Sequence, residues 1–261
     1  MPAKFENVDW YDSPQYYDIV FAADTVLECD FLEQIRERYG RSRGKRVLEP
    51  ACGSGRLVEE MARRGYAVTG FDHNPHMLSY TRTRLARAGL RARLCEMELD
   101  GFRFRQRFDL AHCLVSTFKY LLTERAAAGH LQCTARALEV GGIYVLGFHL
   151  SEYGSTLKTR ERWVQRRGAT TVTCNTQFWP PDRRRRIERV RTRLTVQEPA
   201  GIARYETHWK FRTYDAGQVR RMLQAVPEFD HVATHDFSYQ AESPRELHDD
   251  RLDTVLILRR V

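Results

Sequence analysis

The sequence predicts an α/β fold in which a mainly parallel sheet, covered by helices on both faces, is interrupted by an inserted antiparallel β subdomain. Two observations support this prediction. From residue 46 to residue 150, short apolar runs alternate with segments of helical spacing, which is typical of a parallel sheet covered on both faces. From residue 151 to residue 214, polar and apolar residues alternate with a period of two and no helix is evident, which indicates antiparallel strands.

The first part of the chain contains five predicted strands and three predicted helices. Apolar residues at Leu57, Val58 and Met61 have helical spacing. A later segment begins with Pro75 and ends with Gly89, as helices often do. The predicted strands are "RVLEP" (46–50), "YAVTGFD" (66–72), "RARLCEM" (91–97), "FDLAHCLVS" (108–116) and "GGIYVLGFHL" (141–150). The predicted helices are "GRLVEEMARRG" (55–65), "PHMLSYTRTRLARAG" (75–89) and "RAAAGHLQCTARAL" (125–138).

The inserted segment is predicted to form a sheet with one apolar face and one charged face. In "RIERVRTRLTV" the alternate residues from Glu188 to Val196 lie on one side, and the other side carries Arg189, Arg191 and Arg193. "PPDR" (180–183) and "EPAG" (198–201) are turn signals between such runs. We therefore expect a buried face that contains the apolar residues Val190, Leu194, Trp209 and Phe211.

The end of the chain returns to the alternation of helix and strand. A helix is predicted for "AGQVRRMLQAV" (216–226), followed by strands near "HVATHDF" (231–237) and "DTVLILRRV" (253–261). The sheet of the first part of the chain therefore continues after the insertion, and the inserted strands interrupt one fold rather than follow it.

Composition argues against several classes of protein. The chain is 42% hydrophobic and 11% aromatic, as in folded globular proteins. It has no apolar run of the ~18 residues that a membrane span needs, and its N-terminus lacks the pattern of a signal peptide. We therefore expect a cytoplasmic protein that does not bind membranes. The six cysteines are scattered without a CxxC pair, so we predict no metal site and no disulfide framework.

The charge of the chain is basic, with 42 Lys and Arg against 34 Asp and Glu and a net charge of +8. Seven arginines are concentrated in "RRRRIERVRTR" (183–193). A basic balance can indicate nucleic acid or an anionic substrate. The simpler interpretation is an arginine-rich solvated surface.

The segment "VLEPACGSGRLVEEM" (47–61) has the pattern of a strand, a glycine turn and a helix. Backbone N–H groups at such a turn can approach a nucleotide closely, and Asp72 follows about 20 residues later, where an acid holds a ribose diol. The third glycine of a dinucleotide fingerprint is missing, because Val58 follows Gly53 and Gly55. A carboxylate at Glu49 would repel pyrophosphate but suits ammonium or sulfonium charge, which favours S-adenosylmethionine over NAD.

At these residues the sequence resembles the class I S-adenosylmethionine-dependent methyltransferases of the small-molecule type. The motifs are "EPACGSG", "GFDHNPHML", "CEMELDGF", "FDLAHCLVSTFKYLL" and "ALEVGGIYVL", within residues 46–150, with a weaker match at the end of the chain. The resemblance implies a Rossmann-like sheet of seven strands with its last strand antiparallel. It also implies an N-terminal lid and cofactor-binding core in residues 1–150, an antiparallel cap over the acceptor in 151–214, and the rest of the core in 215–261.

The same resemblance implies how this chain would bind the cofactor. Glu49 and the backbone of Ala51 would bind the methionine end, while Gly53 and Gly55 would let the loop approach it. Asp72 would hold the ribose hydroxyls, and Glu96 with the Met97 amide would hold the adenine. The remaining positions expected at the cofactor are Tyr16, His73, Met77 and Leu114.

The acceptor is expected beyond the carboxyl ends of the central strands, where doubly wound sheets bind ligands. The N-terminal "WYDSPQYYDIVF" resembles the lid of small-molecule N-methyltransferases, which makes Tyr17 a candidate catalytic residue beside Tyr16. His149, at the end of the fifth strand, is placed to act as a base. Tyr120 stands where some amino-sugar N-methyltransferases have histidine, so their substrate does not transfer directly to this chain.

Three functions remain open at the level of sequence. A small-molecule N- or O-methyltransferase, acting as a monomer or a homodimer, is favoured by the insertion and the lid. An RNA methyltransferase is favoured by charge alone, since no recognised RNA-binding module or Asn-Pro-Pro-Tyr-type motif is visible. A non-catalytic protein of the same fold is the third, although nothing in the glycine turn looks damaged.

Overall fold

The computed structural model describes residues 4–261. These residues contain twelve strands and six α-helices. The strands are β1 (Glu6–Asn7), β2 (Arg46–Pro50), β3 (Ala67–Asp72), β4 (Arg93–Glu96), β5 (Phe108–Cys113), β6 (Leu138–His149), β7 (Thr159–Arg167), β8 (Thr170–Phe178), β9 (Ile187–Glu198), β10 (Gly201–Arg212), β11 (Phe229–His235) and β12 (Asp253–Arg260). The helices are α1 (Pro14–Phe21), α2 (Thr25–Tyr39), α3 (Arg56–Arg63), α4 (Pro75–Arg87), α5 (Glu124–Ala137) and α6 (Ala216–Gln224).

The central sheet has the strand order β11-β12-β6-β5-β2-β3-β4. Neighbours from β6 to β4 are parallel, whereas β12 is antiparallel to both β6 and β11. The predicted Rossmann-like sheet of seven strands with an antiparallel last strand is therefore confirmed within residues 4–261. Strand order reverses between β2 and β5, which places a ligand crevice at the carboxyl ends of these two strands.

The central strands are buried on both faces because consecutive apolar residues point to opposite sides. Leu48 belongs to a cluster that includes apolar residues of α5 and α6, while Val47 belongs to a cluster with residues of α2, α3 and α4. Tyr144 and Val145 of β6 divide in the same way. This explains why the strands appear in the sequence as continuous apolar runs.

The inserted segment forms a second sheet with the order β1-β10-β9-β8-β7. Strands β7 to β10 are antiparallel neighbours, as predicted. Val190 and Leu194 are 1% exposed, Phe211 is 8% exposed and Trp209 is partly buried. The buried face packs against α1 and Trp10 rather than against a helix of the insertion itself.

The N-terminal segment contains structure beyond the elements predicted from the sequence. It adds β1 to the inserted sheet in parallel with β10 and forms α1 and α2 before the first central strand. The apolar residues of α2, including Phe31, Leu32 and Ile35, are fully buried against the central sheet. Within residues 4–261, no helix is long and apolar enough to cross a membrane.

The end of β5 is shorter than predicted, and the difference shapes the site. The strand ends at Cys113, not at Ser116. Val115 and Ser116 have φ values of 59° and 64°, a left-handed conformation that a strand cannot continue through. The chain therefore bends into a 3-10 turn, Thr117–Tyr120, which carries Lys119 and Tyr120 toward the inserted sheet.

Candidate active site

The loop between β2 and α3 contains three residues with left-handed backbone conformations. Ala51, Gly53 and Gly55 have φ values of 53°, 53° and 72°. A Cβ on Gly55 would collide with the side chain of Thr81, so the close packing of the loop on α4 requires glycine there. A Cβ on Gly53 would lie 3.6 Å from Tyr17 Cε1. Gly55 therefore serves helix packing, whereas Gly53 faces α1.

Asp72, at the end of β3, holds this loop from the neighbouring strand. Its Oδ2 accepts a hydrogen bond from the Gly53 amide at 2.9 Å, and its Oδ1 accepts one from the Asn74 amide at 2.9 Å. Burial raises the pKa of Asp72, and the backbone donors oppose that rise. In the parallel register Asp72 lies opposite Glu96 at the end of β4. Two carboxylates thus end adjacent strands at the carboxyl edge of the sheet.

The surroundings of Glu49 show whether the residues at the glycine loop fit the methionine end of S-adenosylmethionine. The side chain is buried beside the loop, and its Oε2 has no hydrogen-bond partner among residues 4–261. Burial raises the pKa of Glu49 well above its usual value, although Arg56 opposes this. A buried carboxylate oxygen without a donor is costly. An ammonium group in the adjoining pocket would supply the missing donor, so the residues present fit this cofactor.

The predicted cofactor-binding residues fall into two groups. Glu49, Ala51, Gly53 and Leu114 line one small pocket of about 30 Å³, and Tyr17 forms a wall of it.

The second group lies outside this pocket. His73 and Glu96 are exposed near the ends of β3 and β4. Met77 is 1% exposed within α4, and the Met97 amide donates to the Asp72 carbonyl at 3.2 Å. Tyr16 points elsewhere, because its hydroxyl donates to Glu198 Oε1 at 3.4 Å and its ring stacks on Tyr205.

A larger cavity of about 320 Å³ adjoins the glycine-loop pocket. Tyr17, Val115 and Thr117 line both spaces. The walls of the larger cavity come from α1 and the residues before it, the 3-10 turn after β5, the end of β6 and strands β7 to β10. We call this space the acceptor cavity. The insertion supplies one wall of it and the central sheet another.

The three predicted catalytic residues, Tyr17, Tyr120 and His149, all line the acceptor cavity. His149 is partly exposed, and its Nδ1 lies 2.9 Å from Asp253 Oδ1. The hydrogen bond to His149 lowers the pKa of Asp253. This pairing fixes the orientation of the ring, as a positioned proton acceptor requires.

The tyrosines of the acceptor cavity are protonated phenols. Burial raises the pKa of Tyr11, Tyr17 and Tyr120. Tyr11 and Tyr120 share a hydrogen bond of 2.7 Å between their hydroxyls. Such groups are poor bases at neutral pH but can position an acceptor through their rings and hydroxyls. Among the predicted catalytic residues, this leaves His149 as the candidate proton acceptor, a role that stays a prediction.

Several charged residues of this region were not identified from the sequence. Asp18 of α1 is fully buried and accepts hydrogen bonds from Ser54 and Arg167. Lys119 is 3% exposed, lies in the cavity wall and pairs with Glu188 at 3.2 Å. Glu161 of β7 also lines the cavity. A signal existed for Asp18, an acid within the apolar run of the lid, but nothing in the strand pattern distinguished Glu161 from surface glutamates.

Comparison with known proteins finds similarity to methyltransferases. A family model described as a methyltransferase domain matches residues 47–142. The ubiquinone biosynthesis O-methyltransferase of Salmonella paratyphi A is 34% identical over 116 residues, which cover 43% of this chain and 46% of that protein. The chain spans about half the length of the curated relatives it matches first.

Solved structures share the fold over almost the whole chain. An S-adenosylmethionine-dependent methyltransferase from Clostridium acetobutylicum superposes with a TM-score of 0.77 at 16% identity, covering 96% of this chain and 98% of that one. The sugar N-methyltransferase KedS8 from Streptoalloteichus sp. has a TM-score of 0.72 at 17% identity, covering 100% of this chain and 96% of that one. Residues 47–142 match a methyltransferase domain, and the chain has the fold of S-adenosylmethionine-dependent methyltransferases of known structure.

Proposed function

We propose that this chain transfers a methyl group from S-adenosylmethionine to a nitrogen or an oxygen of a small-molecule acceptor. The main support for the proposal is that the glycine-loop pocket adjoins the acceptor cavity. The glycine-loop pocket and the acceptor cavity meet at Tyr17, Val115 and Thr117. A transferase of this kind needs two binding sites that open onto each other, with the reacting groups aligned between them.

The cofactor would be held at the carboxyl edge of the central sheet. Glu49 and the backbone from Ala51 to Gly53 would bind its amino-acid end, with Leu114 as an apolar contact. Asp72 and Glu96 would face its nucleoside end. When bound, the cofactor supplies an electrophilic methyl group on a positively charged sulfur. Tyr17 and the rest of α1 cover the junction and exclude water from it.

The acceptor cavity supplies alignment and a place for a proton. Tyr11 and Tyr120, joined through their hydroxyls, and Trp209 form an aromatic wall. His149, oriented by Asp253, takes the proton that a nitrogen or hydroxyl acceptor gives up.

The size and the charge distribution of the cavity support a small molecule over RNA. A cavity of about 320 Å³ lies within the range of roughly 300–1,000 Å³ for small-molecule sites. Val190 of β9 lines this cavity, so Arg189 and Arg191 project from the other face of the sheet. Both guanidinium groups stack on Trp179, at 5.5 and 5.6 Å from its ring centre. No arginine of residues 183–193 lines the cavity itself.

Calorimetry with S-adenosylhomocysteine and NADH tests the proposal. We expect a dissociation constant in the micromolar range for S-adenosylhomocysteine, which corresponds to roughly 8 kcal/mol. Asp72→Ala should weaken binding about tenfold or more, because the cofactor and the glycine loop lose the same charged acceptor. Glu139→Gln, a carboxylate change distant from the loop, serves as the control. Binding of NADH without binding of S-adenosylhomocysteine would refute the proposal.

A further inference from the structure

The acceptor cavity contains more negative than positive groups. Four carboxylates line it, from Glu152, Glu161, Glu188 and Asp253. Lys119 pairs with Glu188, and His149 pairs with Asp253. Among residues 4–261, Glu152 and Glu161 have no ion-pair partner within 4.0 Å. The cavity therefore has unmatched negative charge even when His149 is protonated.

Glu161 lies at the centre of this charge distribution. Burial raises the pKa of the carboxyl group, and the charges of Asp253 and Glu188 add to the rise. His149 and Lys119 oppose it. These four groups reach Glu161 from β6, β9, β12 and the 3-10 turn, while Glu161 itself is on β7. Glu161 is exposed to the open cavity, and a cation that enters the cavity stabilises the charge of its carboxylate.

The walls of the cavity favour the same kind of ligand. Trp163, on the same side of β7 as Glu161, lines the cavity together with Trp209 and Phe211. Aromatic faces attract cations, and Lys119 already illustrates this, with its Nζ 5.2 Å from the Phe211 ring centre. A carboxylate beside electron-rich rings attracts an ammonium group electrostatically. The same groups attract a neutral hydroxyl less strongly.

We propose that the acceptor is a cationic amine, that Glu161 binds its ammonium group, and that the His149–Asp253 pair removes its proton. This inference rests on the proposed methyl transfer and selects nitrogen over oxygen. Glu161 would be the residue that determines this specificity. A hydroxyl acceptor is disfavoured at this site. Its oxygen develops negative charge as it loses the proton, and the unpaired carboxylate of Glu161 repels that charge.

The proton and the electron pairs balance in this scheme. With Nδ1 donating to Asp253, the Nε2 of His149 carries the lone pair and accepts one proton from the ammonium. The freed lone pair of the amine forms the new nitrogen–carbon bond as the methyl–sulfur bond breaks, and the electrons of that bond return to sulfur. The product is an N-methylammonium ion, which keeps its positive charge beside Glu161.

Paired amines and alcohols of equal shape test the inference. Probes such as 2-phenylethylamine and 2-phenylethanol, or cyclohexylamine and cyclohexanol, are titrated into the full chain saturated with S-adenosylhomocysteine. We expect each amine to bind at least about tenfold more tightly than its alcohol, in line with one ion pair and cation–π contacts. Glu161→Gln should remove that preference. Glu206→Gln, which removes the same charge from the opposite face of the inserted sheet, should retain it.

The binding of S-adenosylhomocysteine distinguishes a failure of the cationic-amine inference from a failure of the proposed methyl transfer. If it binds to all variants and the amines lose their preference in Glu161→Gln alone, the inference is supported. Equal binding of amines and alcohols, no binding of any amine, or an unchanged preference in Glu161→Gln would overturn the inference and leave methyl transfer intact. Absence of S-adenosylhomocysteine binding to the unmodified chain would count against the proposed function itself.

Discussion

At the scale of single residues, Asp18 connects more of the molecule than any predicted site residue. Its carboxylate accepts hydrogen bonds from Ser54 Oγ at 2.9 Å, Tyr80 Oη at 3.2 Å and Arg167 Nη1 at 2.6 Å, and it also pairs with Arg84. These donors belong to the glycine loop, to α4 and to the last position of β7. One buried side chain of α1 therefore holds the cofactor loop, the central domain and the inserted sheet together.

Asp18→Asn should destabilise the protein by about 3 kcal/mol, because Arg84 and Arg167 lose their buried counter-charge. Burial alone would raise the pKa of Asp18, but Arg84 and Arg167 bring it below its usual value. The folded-state pKa is thus below that of the unfolded chain, so Asp18 stabilises the fold above about pH 4 and this contribution disappears as pH falls through the folded-state pKa.

Urea unfolding between pH 3 and pH 7 measures this effect. Asp18→Asn should lose stability at neutral pH and show a weaker decline toward acid than the unmodified chain. Ser54→Ala removes a neutral donor to the same carboxylate and is the control, since it should cost less and keep the acid dependence. Parallel pH curves for Asp18→Asn and the unmodified chain would contradict this role.

Tyr16 and Tyr17 show what the sequence could and could not predict at this scale. Consecutive residues of a helix point in directions about 100° apart, so both rings could not face the same pocket. The helical pattern does not say which of the two faces the glycine loop, because that depends on how α1 packs. In the structure Tyr17 lines the two cavities and Tyr16 stacks on Tyr205 of the inserted sheet.

At the scale of elements, predictability followed the strength of the hydrophobic pattern. The central strands are buried on both faces and appear as continuous apolar runs, while the long inserted strands are buried on one face and show a period of two. Strand β1 has two residues, both exposed, and it exists only through pairing with β10. No local pattern could reveal it. Helix α2 lies outside the predicted elements, although Phe31, Leu32 and Ile35 have helical spacing.

The basic segment 183–193 divides into two roles in the structure. Arg186, with φ of 56°, donates to the Thr213 carbonyl and pairs with Glu124, so it anchors the turn before β9. Arg189 and Arg191 lie on the outer face of the inserted sheet and stack on Trp179. The charge cluster is therefore partly a structural support and partly a solvated face.

Replacing Arg184, Arg186, Arg189 and Arg191 together by Gln should change solubility and stability more than methyl transfer. We expect the triple variant that retains Arg186 to recover most of the lost stability, which separates the anchor from the surface charge. Thermal unfolding, solubility and turnover of both variants measure this. Tight, salt-sensitive binding of RNA that disappears in the triple variant would instead support a nucleic-acid substrate, since contacts to several phosphates give a steep salt dependence.

At the scale of the whole molecule, the two sheets meet through α1, and this arrangement limits access to the cofactor site. The glycine-loop pocket has a volume of about 30 Å³, roughly that of one water molecule, whereas small-molecule sites span about 300–1,000 Å³. Tyr17 of α1 forms one wall of the pocket. We therefore expect α1 to move away from the loop when the amino-acid end of a cofactor enters, and to close again afterwards.

Hydrogen exchange followed by mass spectrometry tests this gating. Saturating S-adenosylhomocysteine should slow exchange in α1 and in β1, because closing the site orders the N-terminal segment that packs on the inserted sheet. Helix α6, which packs on the central sheet away from both cavities, is the internal control and should change little. In Asp18→Asn, α1 should exchange faster without ligand, and S-adenosylhomocysteine should associate faster, because the hydrogen bonds that hold the helix closed are weakened. If ligand saturates the site while exchange in α1 stays the same, the cofactor enters by a route that leaves this helix in place.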